Sequence, residues 1–242
     1  MTAEDLVSKL RKGRHLQVAL DFIDLQPALA VAQEAKRAGA SILEVGTPLV
    51  KSHGIEGIKA VKRIAGNDVL VLADTKTADA GDVEAEIARR GEASIMTVLG
   101  AMDDSTIKSA VEKAHEYGIL VQVDLINVKD VVSRAKEVVK LGADIVGLHV
   151  GLDVQRARGI TVADMRKEIE EIASLGAIIS VAGGLNAQRI RELLDLPVSI
   201  FVVGGAITKA RDPYTATKEI VKVIQSVKVL GSQEEEKEKL TY

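Results

Sequence analysis

In the stretch LADTKTADAG, residues 72–81, an apolar run hands over to Asp74, Lys76 and Asp79. Two carboxylates around one amine can be a local ion pair in a polar loop, or they can begin a catalytic site. Lys76 is expected to stay an ammonium there, because nearby opposite charge favours the charged form. An ammonium suits charge stabilisation or proton donation, whereas Schiff-base chemistry needs the neutral amine. Residues two apart on a regular strand share a face, so Asp74 and Lys76 are expected to point the same way.

Other apolar runs also end in reactive residues. Asp21 closes HLQVALD (15–21), Glu44 lies in SILEVG (41–46), Asp124 closes ILVQVD (119–124) and His149 lies in DIVGLHV (144–150). A charge inside a buried run is costly unless it is paired or bound to metal. Glu44 therefore either pairs with Lys51 or Lys76, or joins Asp74 in holding a cation. Oxygen ligands select Mg²⁺, which takes one or two protein carboxylates plus water and substrate oxygens. His149 is better placed than His15, His53 or His115 for general acid or base work. Two glycine pairs, Gly183-Gly184 in AGGLN and Gly204-Gly205 in VGGAIT, follow the last two runs. They are either tight turns or a phosphate cradle, in which backbone N–H groups and a helix N-terminus face the anion.

These residues need elements to bring them together. Eight runs rich in Val, Ile and Leu read as strands buried on both faces: 15–21, 41–46, 69–74, 93–100, 119–124, 144–150, 177–184 and 199–205. Helical patterns alternate with them, including 28–40, 106–118 and 131–143. Gly39, Gly118 and Gly142 fit the residue just past a helix end, and Asp103 or Asp104 and Asn186 fit N-caps. The alternation predicts an α/β chain with a single (β/α)8 TIM barrel over residues 1–230, its bottom capped by an N-terminal helix over about 3–12. An open doubly wound sheet fits less well, because G-x-G-x-x-G is missing after the first run. Residues 231–242, GSQEEEKEKLTY, are expected to be a frayed, charged tail. In a barrel the charged strand ends and both glycine pairs would meet at the C-terminal mouth, where barrel chemistry is built.

Composition removes whole classes of function. The 242 residues carry a net charge of −3 and only 2% aromatics, so neither a basic face nor a stacking platform for nucleic acid is expected. The absence of Cys rules out a thiol nucleophile, a thiolate metal site and disulfides. With no membrane-length apolar run and no signal-peptide pattern, the chain is expected to be soluble and cytoplasmic.

The motifs VALDF (18–22), EVGTPLVKSHG (44–54), LADTKTADAG (72–81), VQVDLINVKD (121–130), GLHVGLDVQ (147–155), VAGGLN (181–186) and VVGGAIT (202–208) together carry a resemblance. Over residues 15–228 the chain resembles the orotidine-monophosphate-decarboxylase-like family of phosphate-binding barrels, which share D-x-K-x-x-D. Within that family it is similar to the 3-hexulose-6-phosphate synthases. The resemblance implies a Mg²⁺-dependent aldolase, a carbon–carbon lyase, reversibly joining D-ribulose 5-phosphate and formaldehyde into D-arabino-hex-3-ulose 6-phosphate. It implies Mg²⁺ on Glu44 and Asp74, phosphate at Gly183, Gly184, Gly204 and Gly205, and Lys76 beside the enediolate. His149 then moves the proton, and Asp21 and Asp79 position hydroxyls. It also implies a homodimer in which Asp79 completes the partner's site. Related 3-keto-L-gulonate-6-phosphate decarboxylases carry Arg three residues after the strand-six His; Leu152 stands there and favours the synthase. The orotidylate decarboxylase branch has D-I after its last motif Asp and often Arg after the strand-eight glycines, where this chain has Ala80 and Ala206. A non-catalytic sugar-phosphate binder is the other alternative, but it would need the glycine pairs without Lys76 and its carboxylates.

Overall fold

Short runs of Val, Ile and Leu cannot stand alone in water, and here they pair side by side until no sheet edge is left. The computed structural model describes residues 2–226. Eight parallel strands close into a barrel in chain order: β1 (His15–Leu20), β2 (Ile42–Val45), β3 (Leu70–Thr77), β4 (Ile95–Leu99), β5 (Leu120–Asp124), β6 (Ile145–His149), β7 (Ile178–Ala182) and β8 (Ile200–Val203). Helices return the chain between them. α1 (Ala3–Arg11) precedes β1; α2 (Leu25–Ala38), α3 (Thr47–Ala65), α4 (Gly81–Arg90), α5 (Asp104–Glu116) and α6 (Val131–Lys140) follow β1 to β5 in turn. After β6 come α7 (Leu152–Arg158), a 3₁₀ turn (Val162–Met165) and α8 (Arg166–Ala173). After β7 comes α9 (Ala187–Arg191), and after β8 come α10 (Gly205–Thr208) and α11 (Pro213–Gln225). The expected (β/α)8 barrel is present, and the tail at 231–242 lies outside the described residues.

α1 is set by a capping box, in which Thr2 accepts from the Asp5 amide and Asp5 accepts from the Thr2 amide. Its buried Leu6 and Leu10 join the lumen cluster with Ile42, Leu70, Ile95, Leu120, Ile145, Ile178 and Ile200, so the helix plugs the barrel bottom. Asp103 rather than Asp104 caps α5, and Asn186 caps α9.

The lumen is filled in levels, as alternating inward side chains of a tilted barrel require. Gln17 pairs with Ile42, Leu72 with Ile95, Gln122 with Ile145 and Ser180 with Ile200. The isoleucines form an apolar floor, with Gln17, Leu72, Gln122 and Ser180 beside them. Two residues further along, Ala19 pairs with Glu44, and Asp124 with Gly147. Polarity therefore rises along β2 and β5 towards their C-terminal ends.

One boundary differs in a way that matters. β3 does not stop at Asp74 but runs to Thr77, with a register shift against β4 between Ala73 and Thr77. Lys76 sits in this irregularity at φ 41°, a left-handed conformation that costs a non-glycine residue roughly 1–2 kcal/mol. The simple same-face argument for Asp74 and Lys76 therefore does not apply.

Candidate active site

Hydrogen bonds from neighbouring strands hold the irregular end of β3 in place. The Lys76 amide donates to Thr97 Oγ1 at 2.9 Å, and Thr75 Oγ1 donates to the Thr97 carbonyl at 2.7 Å. Thr97 Oγ1 in turn donates to Asp74 Oδ1 at 2.8 Å. Thr47, at the start of α3, donates to Asp74 Oδ2 at 2.7 Å. The bulge turns Lys76 back over the mouth, where its Nζ lies 2.7 Å from Asp74 Oδ2 and 3.4 Å from Asp124 Oδ2.

Asp124 continues the chain. Its Oδ1 accepts from the Ile126 amide at 2.9 Å, and its Oδ2 lies 3.0 Å from His149 Nδ1. The four residues Asp74, Lys76, Asp124 and His149 thus form one connected line across three strand ends. Both carboxylates are buried, while Lys76 and His149 are partly open to solvent at the mouth. Burial opposes the Lys76 ammonium, but Asp74 and Asp124 outweigh it and hold the pKa well above the usual lysine range. Burial likewise pushes the Asp124 carboxyl up, yet the hydrogen bond and charge of His149, together with Lys76, hold it below the ordinary value. Lys76 is therefore the cation expected from its neighbours.

Glu44 lies behind this line, buried on β2. Its Oε2 accepts from Gln17 Nε2 at 2.6 Å. Neither Lys51 nor Lys76 bonds to it, so the expected alternative of a simple ion pair is absent among the described residues. Burial first, then Asp74 and Asp21, push the Glu44 pKa well up. Asp21 follows β1 at the open rim, but its carboxylate tucks inward: a Cβ on Gly46 would overlap Oδ1, and one on Gly204 would come 3.7 Å from Oδ2. Glycine at 46 is thus required by close approach. Burial and the charge of Asp74 raise the Asp21 pKa as well.

The mouth gathers four carboxylates against one ammonium. No group of three or more His, Asp or Glu side chains forms a metal cage among the described residues. An ion held by two carboxylates and completed by water and substrate needs no such cage. The mutual repulsion of Glu44, Asp74 and Asp21, and a Glu44 Oε1 without a hydrogen bond among the described residues, fit a divalent cation at Glu44 and Asp74.

The glycine pairs flank the same mouth. Gly183 (φ 118°) and Gly184 (φ 72°) lie between β7 and α9, and a Cβ at Gly183 would overlap the Val150 carbonyl. Gly204 and Gly205 lead from β8 into α10. The N–H groups of Gly184 and Gly205 donate to no backbone carbonyl among the described residues. Asp79 is the exception among the expected residues. It is exposed in the loop before α4, and its Oδ1 accepts from the Ala80 amide at 2.8 Å. Within one chain it does not reach the cluster.

Sequence reasoning passed over Gln17, Thr47 and Thr97. Gln17 had a signal, since it interrupts the apolar run LQVAL and lies two residues before Ala19 on one face of β1. Thr47 and Thr97 had none, because threonine is at home in strands and at helix starts.

Comparison with known proteins assigns the chain to a family. The family described as orotidine 5′-phosphate decarboxylase / HUMPS matches residues 14–220. The chain belongs to this family. A 3-hexulose-6-phosphate synthase of Methylomonas aminofaciens is 42% identical over 205 residues, covering 84% of this chain and 96% of that protein. One from Mycobacterium gastri is 41% identical, covering 85% and 97%. A crystal structure of a 3-hexulose-6-phosphate synthase superposes with a TM-score of 0.82 at 41% identity, covering 87% of this chain and 99% of that one. A 3-keto-L-gulonate-6-phosphate decarboxylase from Vibrio cholerae shares the fold, with a TM-score of 0.78 at 24% identity over 88% of this chain and 98% of that one. Among the described residues, no helix is long and apolar enough to cross a membrane.

Proposed function

We propose that the chain is an aldehyde-lyase that joins D-ribulose 5-phosphate and formaldehyde into D-arabino-hex-3-ulose 6-phosphate, and runs the same step in reverse. The observation that carries this reading is the line Asp74–Lys76–Asp124–His149, set at one barrel mouth with two glycine pairs. Relatives at 41–42% identity are named 3-hexulose-6-phosphate synthases, which supports a hexulose 6-phosphate product.

The phosphate is read onto the free amides around Gly183, Gly184, Gly204 and Gly205. That anchors one end of the sugar and leaves the ketone end at the charged strand ends. His149, oriented through Nδ1 by Asp124, uses Nε2 to take a proton from C1. The electron pair moves into the C2 carbonyl and gives an enediolate. Lys76 lies beside the developing negative charge, already protonated and held by two carboxylates. The C2 carbonyl then re-forms as C1 bonds to the formaldehyde carbon, and the formaldehyde carbonyl pair passes to its oxygen, which takes back the proton held on His149. Asp21 positions a sugar hydroxyl from the rim. Glu44 and Asp74 would hold Mg²⁺, which when bound supplies Lewis-acid polarisation of the ketone and a neighbouring hydroxyl oxygen. Asp79 faces outward near Val83, which is 56% exposed, and this supports a homodimer in which Asp79 serves the partner's site. Mixing Lys76→Ala subunits with Asp79→Ala subunits should restore activity that neither variant has alone.

The chemistry is tested with ¹³C-formaldehyde and ribulose 5-phosphate, reading the product by NMR. Label at C1 of a hexulose phosphate supports the synthase reading. Release of CO₂ from 3-keto-L-gulonate 6-phosphate, with no product from formaldehyde, would replace it with the decarboxylase. Sugar-phosphate binding without either turnover would leave a non-catalytic barrel.

A further inference from the structure

Gln17 approaches the site from below, through the lumen of the barrel. It is 1% exposed on β1 and donates Nε2–H to Glu44 Oε2 at 2.6 Å. Its own Oε1 is buried with no hydrogen-bond partner among the described residues. A buried amide with one half unsatisfied is destabilising, because its carbonyl has given up water for nothing. An apolar side chain avoids that cost, as Leu72 does on the same level of the lumen. A glutamine kept there needs a gain elsewhere, and its one hydrogen bond goes to Glu44.

We propose that Gln17 is a positioning residue for the cation site. It ties Glu44 Oε2 to the barrel wall, which fixes the carboxylate and leaves Oε1 for a divalent ion at the mouth. A carboxylate free to rotate would sacrifice side-chain entropy on each binding event; one already held does not. Outer partners of this kind orient the groups that touch a metal. This inference rests on the Mg²⁺ reading of the proposed function.

The lumen provides its own control. Gln122 lies on the same level and also has a buried, unpartnered Oε1, but it bonds to no carboxylate. Gln17→Met and Gln122→Met each replace an amide by an apolar chain of similar length. Mn²⁺ serves as the probe, titrated by electron paramagnetic resonance against the full chain with ribulose 5-phosphate present and formaldehyde omitted. Gln17→Met should bind Mn²⁺ about 10- to 100-fold more weakly than wild type, with Gln122→Met essentially unchanged. Circular dichroism and thermal melts report the fold; if Gln17→Met does not fold, Gln17→Asn, whose amide falls one methylene short, should show the same loss. Wild-type affinity in a folded Gln17 variant would overturn the role of Gln17 and leave the cation reading standing. Equal losses in both methionine variants would overturn it too, since lumen polarity in general would then be responsible. Failure of wild type to bind Mn²⁺ would overturn this inference and the Mg²⁺ reading together.

Discussion

The two ends of the barrel lumen are built by the same eight strands, yet they differ in almost everything. At the bottom, Ile42, Ile95, Ile145 and Ile200 pack with Leu6 and Leu10 of α1 in an apolar cluster. Further along the same strands, Glu44, Asp74, Lys76, Asp124 and His149 crowd together, with Lys76 in a left-handed conformation. The bottom gains free energy from burial. The top accepts strain, like-charge repulsion and desolvation, which accumulate where chemistry is done. A barrel tolerates this because the floor stabilises the strands whose ends carry the site.

The comparison can be broken most severely at the top. Glu44→Gln should abolish turnover together with its Mg²⁺ dependence; wild-type-like turnover in that variant would remove Glu44 from the cation site. Lys76→Ala should lower kcat by about 10²–10³-fold while the far-ultraviolet circular dichroism stays native, a loss typical of removing one electrostatic stabiliser. A mild effect would reduce Lys76 to an ion-pair role. Ile145→Ala should show the opposite pattern at the bottom. A large-to-small change there costs about 2–5 kcal/mol, or a Tm drop on the order of 10 °C, with kcat retained below the transition. Loss of kcat without loss of Tm would contradict the division of labour.

The smallest effect sharpens the boundary between the two regions. The Asp124 carboxyl titrates below its ordinary value in the folded chain, because His149 and Lys76 outweigh its burial. Its contribution to stability is therefore complete above an ordinary carboxylate pKa and is lost as pH falls through the lowered one. Wild type should melt above Asp124→Asn at pH 7, and the gap should close as pH drops below about 4. A gap that persists in acid would mean that packing, not charge, holds Asp124.

Much of this division was legible before any coordinates. The β-strand runs and the polar residues at their ends were enough to anticipate a barrel, its plugged bottom and its charged mouth. What escaped has identifiable causes. The bulge at Lys76 depends on hydrogen bonds to Thr97, a residue 21 positions away that nothing in LADTKTADAG announces. The partner of Glu44 proved to be a neutral glutamine on the neighbouring strand, because a long-range register decides which side chain meets a buried carboxylate. Asp79 is exposed and bonds only to the Ala80 amide, and the role proposed for it depends on a second copy of the chain.

The most direct test of the charged mouth as an aldolase site is formaldehyde-dependent consumption of ribulose 5-phosphate by the purified protein, with Mg²⁺ and then with excess EDTA. The account predicts consumption with Mg²⁺ that stops on chelation. No consumption in either condition, with 3-keto-L-gulonate 6-phosphate releasing CO₂ instead, would contradict it and make Leu152 the residue that had been misread.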